Sequence, residues 1–485
     1  MYRSRLAFAL AMAALAAILV PSALTAQITF ERTYGGPEKD ASYAAQQTSD
    51  GGYAIVGYTR SEAVQKDLVY LVKTDPDGDT VWTRTFGGTD GGYGYWIQQT
   101  SDRGYIIAGI THWPGSGDQD VYLVKTDSLG DTMWTRTYGG PGSDQAYSVS
   151  QTADGGYIAV GSTDDYGAGD LDVYLIKTDV HGDTLWTRTY GGLELDEGYS
   201  VQQTPDSGYI ITGYTSSFGA GNNDVYLIKT DARGIAKWTK TYGGAMTDIG
   251  NSVQLTADGG YIIAGVYSDS DYDVWVIKTD ANGDTLWTRA YSGEGSGIGT
   301  SIRPTTDGGY VVAGYTCFPH KQFEDVYLIK TNANGDSLWT RTYGDTLRDQ
   351  ASDVWQTTDG GYAVTGPDWD WGPGGREDFY LIKTDSLGNV AVAEPKTSPT
   401  RAPALSLTCE PNPSSGTTRI SFKPQASSSK PLTLRVFDAS GNLVWSQPVR
   451  ASSFIFHPSS LPSGAYFLRL DAAGRHATTR LVITR

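Results

Sequence analysis

The run from Lys177 to Gly192 reads Lys-Thr-Asp-Val-His-Gly-Asp-Thr-Leu-Trp-Thr-Arg-Thr-Tyr-Gly-Gly, and close copies of it recur along the chain. Its tryptophan occupies one position per copy, at steps of 52, 52, 52, 49 and 52 residues, and Phe30 lies one period earlier: Trp82, Trp134, Trp186, Trp238, Trp287 and Trp339. A fixed period of this length is typical of one repeated unit. A second marker, a tyrosine after a turn of the Asp-Gly-Gly kind, occurs at Tyr53, Tyr105, Tyr157, Tyr209, Tyr261, Tyr310 and Tyr362. We therefore predict seven units.

Each unit contains four short runs that are rich in Tyr, Val, Ile, Thr and Trp, as in 199–204, 209–214, 225–229 and 236–242. Such runs are typical of β-strands, and none is long enough for a helix. Asp-Gly-Gly joins the first two runs, and Thr-Asp-x-x-Gly-Asp joins the last two, because glycine supplies the positive φ of tight hairpins. Four-stranded meanders at this period indicate propeller blades. The predicted fold is an all-β, seven-bladed β-propeller of four-stranded antiparallel blades.

The ends of the repeat region predict how the ring closes. Residues 28–34 read as a lone fourth strand, whereas the last unit has only a weak fourth run at 390–392 that lacks the tryptophan. We expect the N-terminal strand to complete the last blade, because this removes two open sheet edges.

Three further segments flank the repeats, which span 27–394: a signal peptide, a linker and a C-terminal domain. Residues 1–26 read as a secretory signal peptide, with Arg3 and Arg5 before the apolar run 6–20 and Ala26 at the cleavage point. The mature chain therefore leaves the cytoplasm, and no later stretch is apolar enough for a transmembrane segment. The only cysteines are Cys317 and Cys409, which excludes a disulfide framework. Residues 395–404 form a linker rich in Pro and Thr.

Charge divides between the two regions. Residues 27–394 carry 24 Lys and Arg against 51 Asp and Glu, a net charge of −27, whereas 395–485 carry 11 against 3, a net charge of +8. Nucleic-acid binding requires clustered positive charge, so the acidic repeat region is not expected to bind nucleic acid.

The C-terminal domain, 405–485, contains six alternating runs that predict a small immunoglobulin-like β-sandwich. Its motifs, in order, are 411–413 (Pro-Asn-Pro) with Gly416, 436–441 (Val-Phe-Asp-Ala-Ser-Gly), 461–467 (Leu-Pro-Ser-Gly-Ala-Tyr-Phe) and a basic, apolar ending. This region resembles the type A C-terminal sorting domain of type IX secretion substrates. The resemblance implies that the type IX secretion machinery is a partner, and that the protein is secreted or held at the outer-membrane surface of a Gram-negative bacterium.

The repeats contain no recognisable catalytic motif and no metal-ligand spacing, so we predict no catalytic residues. The run Gly335-Asp336-Ser337-Leu338 spells a hydrolase signature but occupies a turn that reads Gly-Asp-Thr-Leu at 182–185. The repeats are loosely similar to quinoprotein-like propellers, but they have no distinctive cofactor constellation, so we predict no cofactor.

Alternate loops of a meander emerge on opposite faces of a propeller. The Asp-Gly-Gly and Thr-Asp-x-x-Gly-Asp turns are nearly identical in every unit, whereas the loops after the second strand vary. The variable loops carry aromatic residues among Gly, Asp and Asn, namely Trp113, Tyr166, Phe218, Tyr267, Tyr272, Phe318, Phe323, Trp369 and Trp371. Aromatic side chains beside polar ones suit stacking on sugars or contact with a protein partner, so these are the predicted ligand-binding residues. The alternative is that they fold back over neighbouring blades.

Two series of aspartates accompany the variable loops. One precedes or begins the third strand (Asp67, Asp120, Asp172, Asp224, Asp273, Asp325 and Asp378), and the other precedes the first strand (Asp40, Asp144, Asp196, Asp248 and Asp349). Carboxylates near a channel mouth make Ca²⁺ a possible ligand. The alternative, which we favour, is that each aspartate fixes the start of a strand by Asx-turn bonding.

The sequence favours a monomeric, non-enzymatic protein that binds an extracellular glycan or protein through the variable face. Two alternatives stay open, because propellers serve many functions. One is an extracellular polysaccharide-cleaving enzyme that uses loop carboxylates at the channel mouth. The other is a structural component of an adhesion or a matrix.

Overall fold

The computed structural model describes residues 27–390 except 37, 62–64, 89, 113–118, 270, 292–294, 318–322, 345–346 and 371–375. In the C-terminal part it describes 407–410, 418–422, 432–438, 443–449, 453–457, 461–472 and 475–484. The chain divides into two compact units, Met1–Ala391 and Val392–Arg485. The predicted signal peptide and linker lie outside the described residues, and the domain boundaries stay predictions.

The first unit is a series of antiparallel sheets, and the described residues contain no helix. Sheet 1 contains β2 (Asp40–Gln47), β3 (Tyr53–Ser61), β4 (Lys66–Thr74) and β5 (Thr80–Phe86). Sheet 2 contains β6 (Gly92–Gln99), β7 (Tyr105–His112), β8 (Gln119–Thr126) and β9 (Thr132–Tyr138). Sheet 3 contains β10 (Asp144–Gln151), β11 (Tyr157–Thr163), β12 (Asp172–Thr178) and β13 (Thr184–Tyr190).

Three more sheets repeat this order. Sheet 4 contains β14 (Asp196–Gln203), β15 (Tyr209–Thr215), β16 (Asp224–Thr230) and β17 (Ala236–Tyr242). Sheet 5 contains β18 (Ile249–Leu255), β19 (Tyr261–Ser268), β20 (Tyr272–Thr279) and β21 (Thr285–Tyr291). Sheet 6 contains β22 (Ser296–Pro304), β23 (Tyr310–Cys317), β24 (Asp325–Thr331) and β25 (Ser337–Tyr343). The predicted all-β class and four-stranded antiparallel sheets are confirmed.

Sheet 7 joins the two ends of the repeat region. Its first strand is split into β26 (Arg348–Asp349) and β27 (Asp353–Gln356), followed by β28 (Tyr362–Asp370) and β29 (Arg376–Thr384). The fourth place is taken by β1 (Phe30–Tyr34), which pairs antiparallel with β29 from Phe30 opposite Lys383 to Tyr34 opposite Phe379. The weak fourth strand suggested at 390–392 does not form at Val390, and its other two residues lie outside the described part.

The first strands form the inner ring of the propeller, because each contacts the first strand of the next sheet and β2 contacts β27. The uniform face is fixed by a repeated ion pair between a buried lysine and an aspartate that is partly exposed to solvent. Seven lysines on the third strands are at most 6% exposed, and each Nζ lies 2.7–3.0 Å from the aspartate of the Asp-Gly-Gly-type turn in its own sheet: Lys73, Lys125, Lys177, Lys229, Lys278, Lys330 and Lys383. These turns therefore serve the geometry of each sheet, which explains why they do not vary.

The tryptophan on each fourth strand packs over the glycine of the Thr-Asp-x-x-Gly turn in the next sheet. Trp186 covers Gly234 in this way, and Phe30 covers Gly78, so the N-terminal strand repeats the contact at the closure. The hydroxyl of Tyr190 donates to the carbonyl of Gly234 at 2.6 Å, and Tyr34 donates to Gly78 at 2.8 Å. The repeated tryptophan is thus a contact between sheets.

Substitution of Gly234 tests this contact. A Cβ there would lie 2.6 Å from the Trp186 ring, and the residue has a φ of +74°. We expect Gly234→Ala to lower the free energy of unfolding by about 2–4 kcal/mol, from backbone strain and overpacking together. Gly259→Ala is the matched control, because Gly259 has a φ of +83° but nothing within 4 Å of its Cβ position. Equal losses for the two variants in urea unfolding would contradict the packing role.

The second unit contains two antiparallel sheets. One contains β30 (Leu407–Glu410), β31 (Thr418–Phe422) and β34 (Ser453–Phe456). The other contains β32 (Leu432–Asp438), β33 (Leu443–Val449), β35 (Gly464–Ala472) and β36 (Arg475–Ile483). Side chains from both sheets share one core, in which Ile420, Leu434 and Phe456 are at most 3% exposed. Two sheets with a common core form the small β-domain that the alternating runs predict.

Candidate functional site: an axial pocket

In sheets 1 to 6 the first strand carries an extra residue at the same place, and in sheet 7 the first strand is split there. In sheet 4 the pairing passes from Gly198 opposite Gly213 to Ser200 opposite Thr212, so Tyr199 has no partner and forms a β-bulge. The cause lies on the second strand, because a Cβ at Gly213 would collide with the carbonyl oxygen of Glu197. Glycine allows the two backbones to approach, and the bulge follows. The bulged side chains line a pocket on the axis of the ring.

The residue at this bulge differs around the ring. Sheets 1 to 4 place a tyrosine there, and sheets 5 to 7 place a small polar residue; in order they are Tyr43, Tyr95, Tyr147, Tyr199, Asn251, Thr300 and Ser352. The ring is therefore aromatic over four consecutive sheets and polar over the other three. We call the four tyrosines the tyrosine crescent.

The rings of the tyrosine crescent contact one another in sequence. Their centroids are 5.1 Å apart between Tyr43 and Tyr95, 5.6 Å between Tyr95 and Tyr147, and 5.2 Å between Tyr147 and Tyr199. The first and last of these contacts are edge-to-face, the favourable geometry for aromatic pairs. All four rings are half-buried, so each keeps part of its surface toward the pocket.

The polar half of the ring is held by hydrogen bonds to the next sheet. The Nδ2 of Asn251 donates to the carbonyl of Gly299 at 2.8 Å, and the Oγ1 of Thr300 donates to the carbonyl of Ala351 at 2.8 Å. Both side chains donate these hydrogens to backbone carbonyls of the protein. Thr300 can therefore offer a ligand only an oxygen acceptor, whereas Asn251 offers its Oδ1 acceptor and one remaining Nδ2 hydrogen.

The pocket has a floor. Arg303 on β22 reaches across the ring, so that its guanidinium carbon lies 5.4 Å from the ring centroid of Trp96 on β6 and 3.9 Å from that of Trp355 on β27. Its Nη2 lies 3.3 Å from Oδ1 of Asp353, and both side chains are buried. Because sheets 2 and 6 lie three places apart, the contact between Trp96 and Arg303 spans the channel.

The resulting cavity has a volume of about 430 Å³. Besides the seven bulge residues it is lined by Trp96, Ile249, Val266, Ile298 and Tyr315. Val266 and Tyr315 lie near the ends of second strands, and Ile249 and Ile298 lie near the starts of first strands. These strand ends belong to the face of the variable loops, so the pocket opens on that face.

Three carboxylates bind tyrosines whose rings lie 5.9–6.2 Å from rings of the tyrosine crescent, and we call them the rim carboxylates. Glu197, two residues before Tyr199, accepts a 3.0 Å hydrogen bond from the Tyr214 hydroxyl. Glu377 accepts from the Tyr58 hydroxyl at 2.6 Å and pairs with Lys39 at 3.2 Å. On the other side of Tyr58, Asp67 accepts from the Tyr93 hydroxyl at 2.7 Å.

The tyrosines of the crescent stay protonated at neutral pH. Burial raises the pKa of Tyr95 to about 12. Burial also raises the pKa of Tyr147 and of Tyr199, and the nearby carboxylate of Glu197 raises both further. The pocket is thus bordered by neutral phenols and by the carboxylate of Glu197.

The six predicted ligand-binding aromatics that the structure describes lie outside the pocket lining. Tyr166 and Phe218 are each 46% exposed, and their rings lie 5.9 Å from those of Tyr174 and Tyr226 on the strands of their own sheets.

Four other predicted aromatics have described positions. Tyr267 lies 5.2 Å from Trp275, Tyr272 is 45% exposed at the start of β20, and Phe323 is half-buried. Trp369 lies on β28 opposite Glu377. Trp113, Phe318 and Trp371 lie outside the described residues, and a ligand-binding role for any of the nine stays a prediction.

The two aspartate series meet between neighbouring sheets. The carboxylates of Asp120 and Asp144 approach the same backbone position, Gly139, and Asp144 Oδ2 accepts from the amide of Gly140 at 2.8 Å. Burial raises the pKa of Asp144 to about 6, and the neighbouring Asp165 contributes to the shift. The same hydrogen bond recurs at Asp40, Asp196 and Asp248, and it ties each first strand to the turn before it. It differs from the expected Asx-turn, in which the carboxylate accepts from the amide two residues later, because the donor here lies four residues earlier. Within the described residues no three His, Cys, Asp or Glu side chains are grouped to hold a metal ion.

The sequence did contain a signal for the pocket. When the repeats are aligned, the bulge position changes from tyrosine in four units to Asn, Thr and Ser in the next three, and glutamate occurs two residues earlier only at Glu197. The variable loops were the predicted site because they differ visibly from repeat to repeat. The bulge position differs in chemistry alone, and only the strand pairing shows that it faces the axis.

The fold and the site define a β-propeller with an axial pocket, joined to a small β-domain. Residues 411–484 match the secretion system C-terminal sorting domain. The chain therefore carries the signal for type IX secretion and is a secreted or cell-surface protein. The resemblance predicted from the motifs is confirmed over this region. The described residues include no helix with the length and apolarity required to cross a membrane.

Comparison with other proteins adds only general likeness. The chain is 26% identical over 181 residues to the regulatory protein FlaEY of Caulobacter vibrioides, which covers 32% of this chain and 19% of FlaEY. It resembles PorZ, a surface component of the type IX secretion system of Porphyromonas gingivalis, at 12% identity and a TM-score of 0.42, over 93% of this chain and 60% of PorZ. The propeller domain of the Trilobed protease from Pyrococcus furiosus gives 8% identity and 0.43, over 74% and 99% of the two chains.

Proposed function

We propose that this secreted or surface protein binds an extracellular glycan, and that the axial pocket receives the end of the glycan chain. The observation that carries the proposal is the asymmetry of the bulge ring, in which four tyrosines face three acceptor side chains. The bulge position recurs around the ring, but sheet geometry alone does not require tyrosine at only four of seven places. A sugar ring presents an apolar face suited to stacking and hydroxyls suited to acceptors.

The dimensions support an end-on mode of binding. The pocket volume of about 430 Å³ falls in the range of small-ligand pockets, about 300–1,000 Å³. A pocket of this size is too small to accommodate a folded protein partner. Because the contact between Trp96 and Arg303 spans the channel below the pocket, we expect a glycan chain to enter by one end and not to thread through. A terminal residue can enter from the variable face, and the following residues would then lie along the loops.

Binding is favoured over cleavage by the composition of the pocket. Glycoside hydrolysis commonly uses two carboxylates about 5–9.5 Å apart around the scissile bond. Among the described residues that line the pocket there is no Asp or Glu, and the carboxylates at the rim are bonded to tyrosine hydroxyls.

A glycan array probed with the full chain and two double variants tests the proposal. We expect Tyr95→Ala with Tyr147→Ala to weaken binding about tenfold to a hundredfold, since each aromatic contact contributes about 0.5–1.5 kcal/mol beyond the area it buries. The control pair, Tyr166→Ala with Phe218→Ala, removes two exposed aromatics from the same face and should change affinity less than about threefold. A greater loss of affinity in the control pair would place the site on the loops. Hydrolysis of a bound glycan would mean that the protein is an enzyme and not only a binding protein.

A further inference from the structure

The axial pocket offers acceptors without cations. Among its described lining residues there is no Lys, Arg or His. Thr300 donates its hydroxyl hydrogen to a backbone carbonyl and Asn251 donates one of its two amide hydrogens to another, and the hydroxyl of Tyr147 donates to Oε1 of Gln145 at 2.6 Å. Apart from the second amide hydrogen of Asn251, what these groups keep for a ligand is oxygen lone pairs, which repel an anionic group and accept hydrogens from a donor-rich one.

One rim carboxylate stands apart from the others. Lys39 neutralises Glu377, and Arg60 lies 3.1 Å from Asp67 and neutralises it. Glu197, by contrast, has no Lys or Arg partner among the described residues, and its contacts are with tyrosines. Its negative charge is therefore available to a ligand beside the end of the tyrosine crescent.

The positively charged floor does not offset this charge. Arg303 is 5% exposed, its guanidinium pairs with Asp353, and the rings of Trp96 and Trp355 lie over it. The whole region 27–394 adds a net charge of −27, which attracts cations toward the ring.

We propose that the axial pocket recognises an ammonium group, carried by the terminal residue of a glycan as a free sugar amine. This inference rests on the proposed function. The faces of aromatic rings attract cations, and groups of such rings hold ammonium ligands. Here the tyrosine crescent surrounds one side of the ammonium group, Glu197 supplies the opposite charge, and the oxygens of Asn251 and Thr300 accept its hydrogens.

A matched pair of ligands separates this inference from general glycan binding. Titration calorimetry of the full chain would compare a β-1,4-linked glucosamine tetramer with its N-acetylated counterpart, at a pH where the amine is protonated. The two differ only in the charge and acetylation of nitrogen. We expect the free-amine tetramer to bind at least about tenfold more tightly, as one desolvated cation–π contact implies.

Two variants identify the carboxylate responsible. Glu197→Gln should remove most of the preference for the amine, whereas Glu194→Gln, the same change at an exposed residue of the preceding loop, should leave it intact. If the two variants act alike, Glu197 does not recognise the ligand. Tyr147→Ala should weaken binding of both tetramers.

The remaining outcomes distinguish failure of ammonium recognition from failure of glycan binding. Equal or tighter binding of the N-acetylated tetramer would overturn ammonium recognition and leave glycan binding standing. Binding of a lysine peptide or of choline, with neither tetramer bound, would uphold the ammonium group and overturn the sugar as its carrier. Failure to bind any of these probes would overturn the inference, and the glycan array would then decide the proposed function by itself.

Discussion

Deletion of β1 is expected to abolish cooperative folding of the propeller. A chain that begins at Gly35 loses the pairing of Phe30–Tyr34 with β29. It also loses Phe30 and Tyr34 from a core in which they are 6% and 8% exposed. Burial of one aromatic side chain hides about 150–250 Å², or about 4–6 kcal/mol as an upper bound. Two such losses approach the whole stability of a typical domain, about 5–15 kcal/mol.

The deletion also opens the ring. Phe379 and Leu381 on β29 would lose the strand that covers them, and an unpaired edge would be exposed to other chains. We expect a broad, low thermal transition with aggregation, measured by circular dichroism and light scattering. The control is Phe30→Trp, which introduces the residue found at this place in the other six sheets and should unfold at nearly the wild-type temperature. A deletion variant that melts like the wild type would show that β1 does not close the ring.

Asp353→Ala is expected to be among the most destabilising single substitutions. Asp353 is 2% exposed and accepts hydrogen bonds from Ser301, Trp355 and its ion-pair partner, Arg303. Removal of the carboxylate leaves a buried guanidinium without a counter-charge, which costs about 3–5 kcal/mol. The loss should appear as a lower denaturant midpoint.

A second substitution is the control for Asp353→Ala. Arg303→Met added to Asp353→Ala removes the uncompensated charge, and buried ion pairs replaced by apolar side chains are often neutral in stability. We therefore expect the double variant to regain most of the loss. A double variant no more stable than Asp353→Ala would mean that the uncompensated charge is not the cause. The double variant also lacks the arginine that spans the channel, so it is useful for testing the floor of the pocket.

Much of the fold could be predicted from the sequence because the same pattern of strands and turns recurs in each repeat. Trp186 and its counterparts revealed the period, and Phe30 revealed the strand that completes the last sheet. The buried lysines, such as Lys177, could not be predicted as buried, because lysine in an alternating strand is ordinarily a solvated residue. Their burial depends on an aspartate in a turn about twenty residues earlier, and that contact exists only when the sheet is assembled.

The site was harder to predict because it, too, depends on contacts that exist only when the sheet is assembled. Tyr147 follows the buried residue Ala146, and in a regular strand successive side chains point to opposite faces of the sheet. The bulge changes the direction of its side chain, and the bulge is imposed by Gly161 on another strand, whose Cβ would collide with the carbonyl of Gln145. Exposed loop aromatics such as Phe218 were identifiable by composition, whereas the tyrosine crescent required strand register.

The most direct test of the account is a crystal structure of the full chain with an oligosaccharide identified on the array. We predict density for the terminal sugar inside the ring, against the faces of Tyr95 and Tyr147, with the rest of the chain leaving toward the variable loops. A ligand bound only at loop residues such as Tyr166 or Phe218, with the axial pocket empty, would contradict the account.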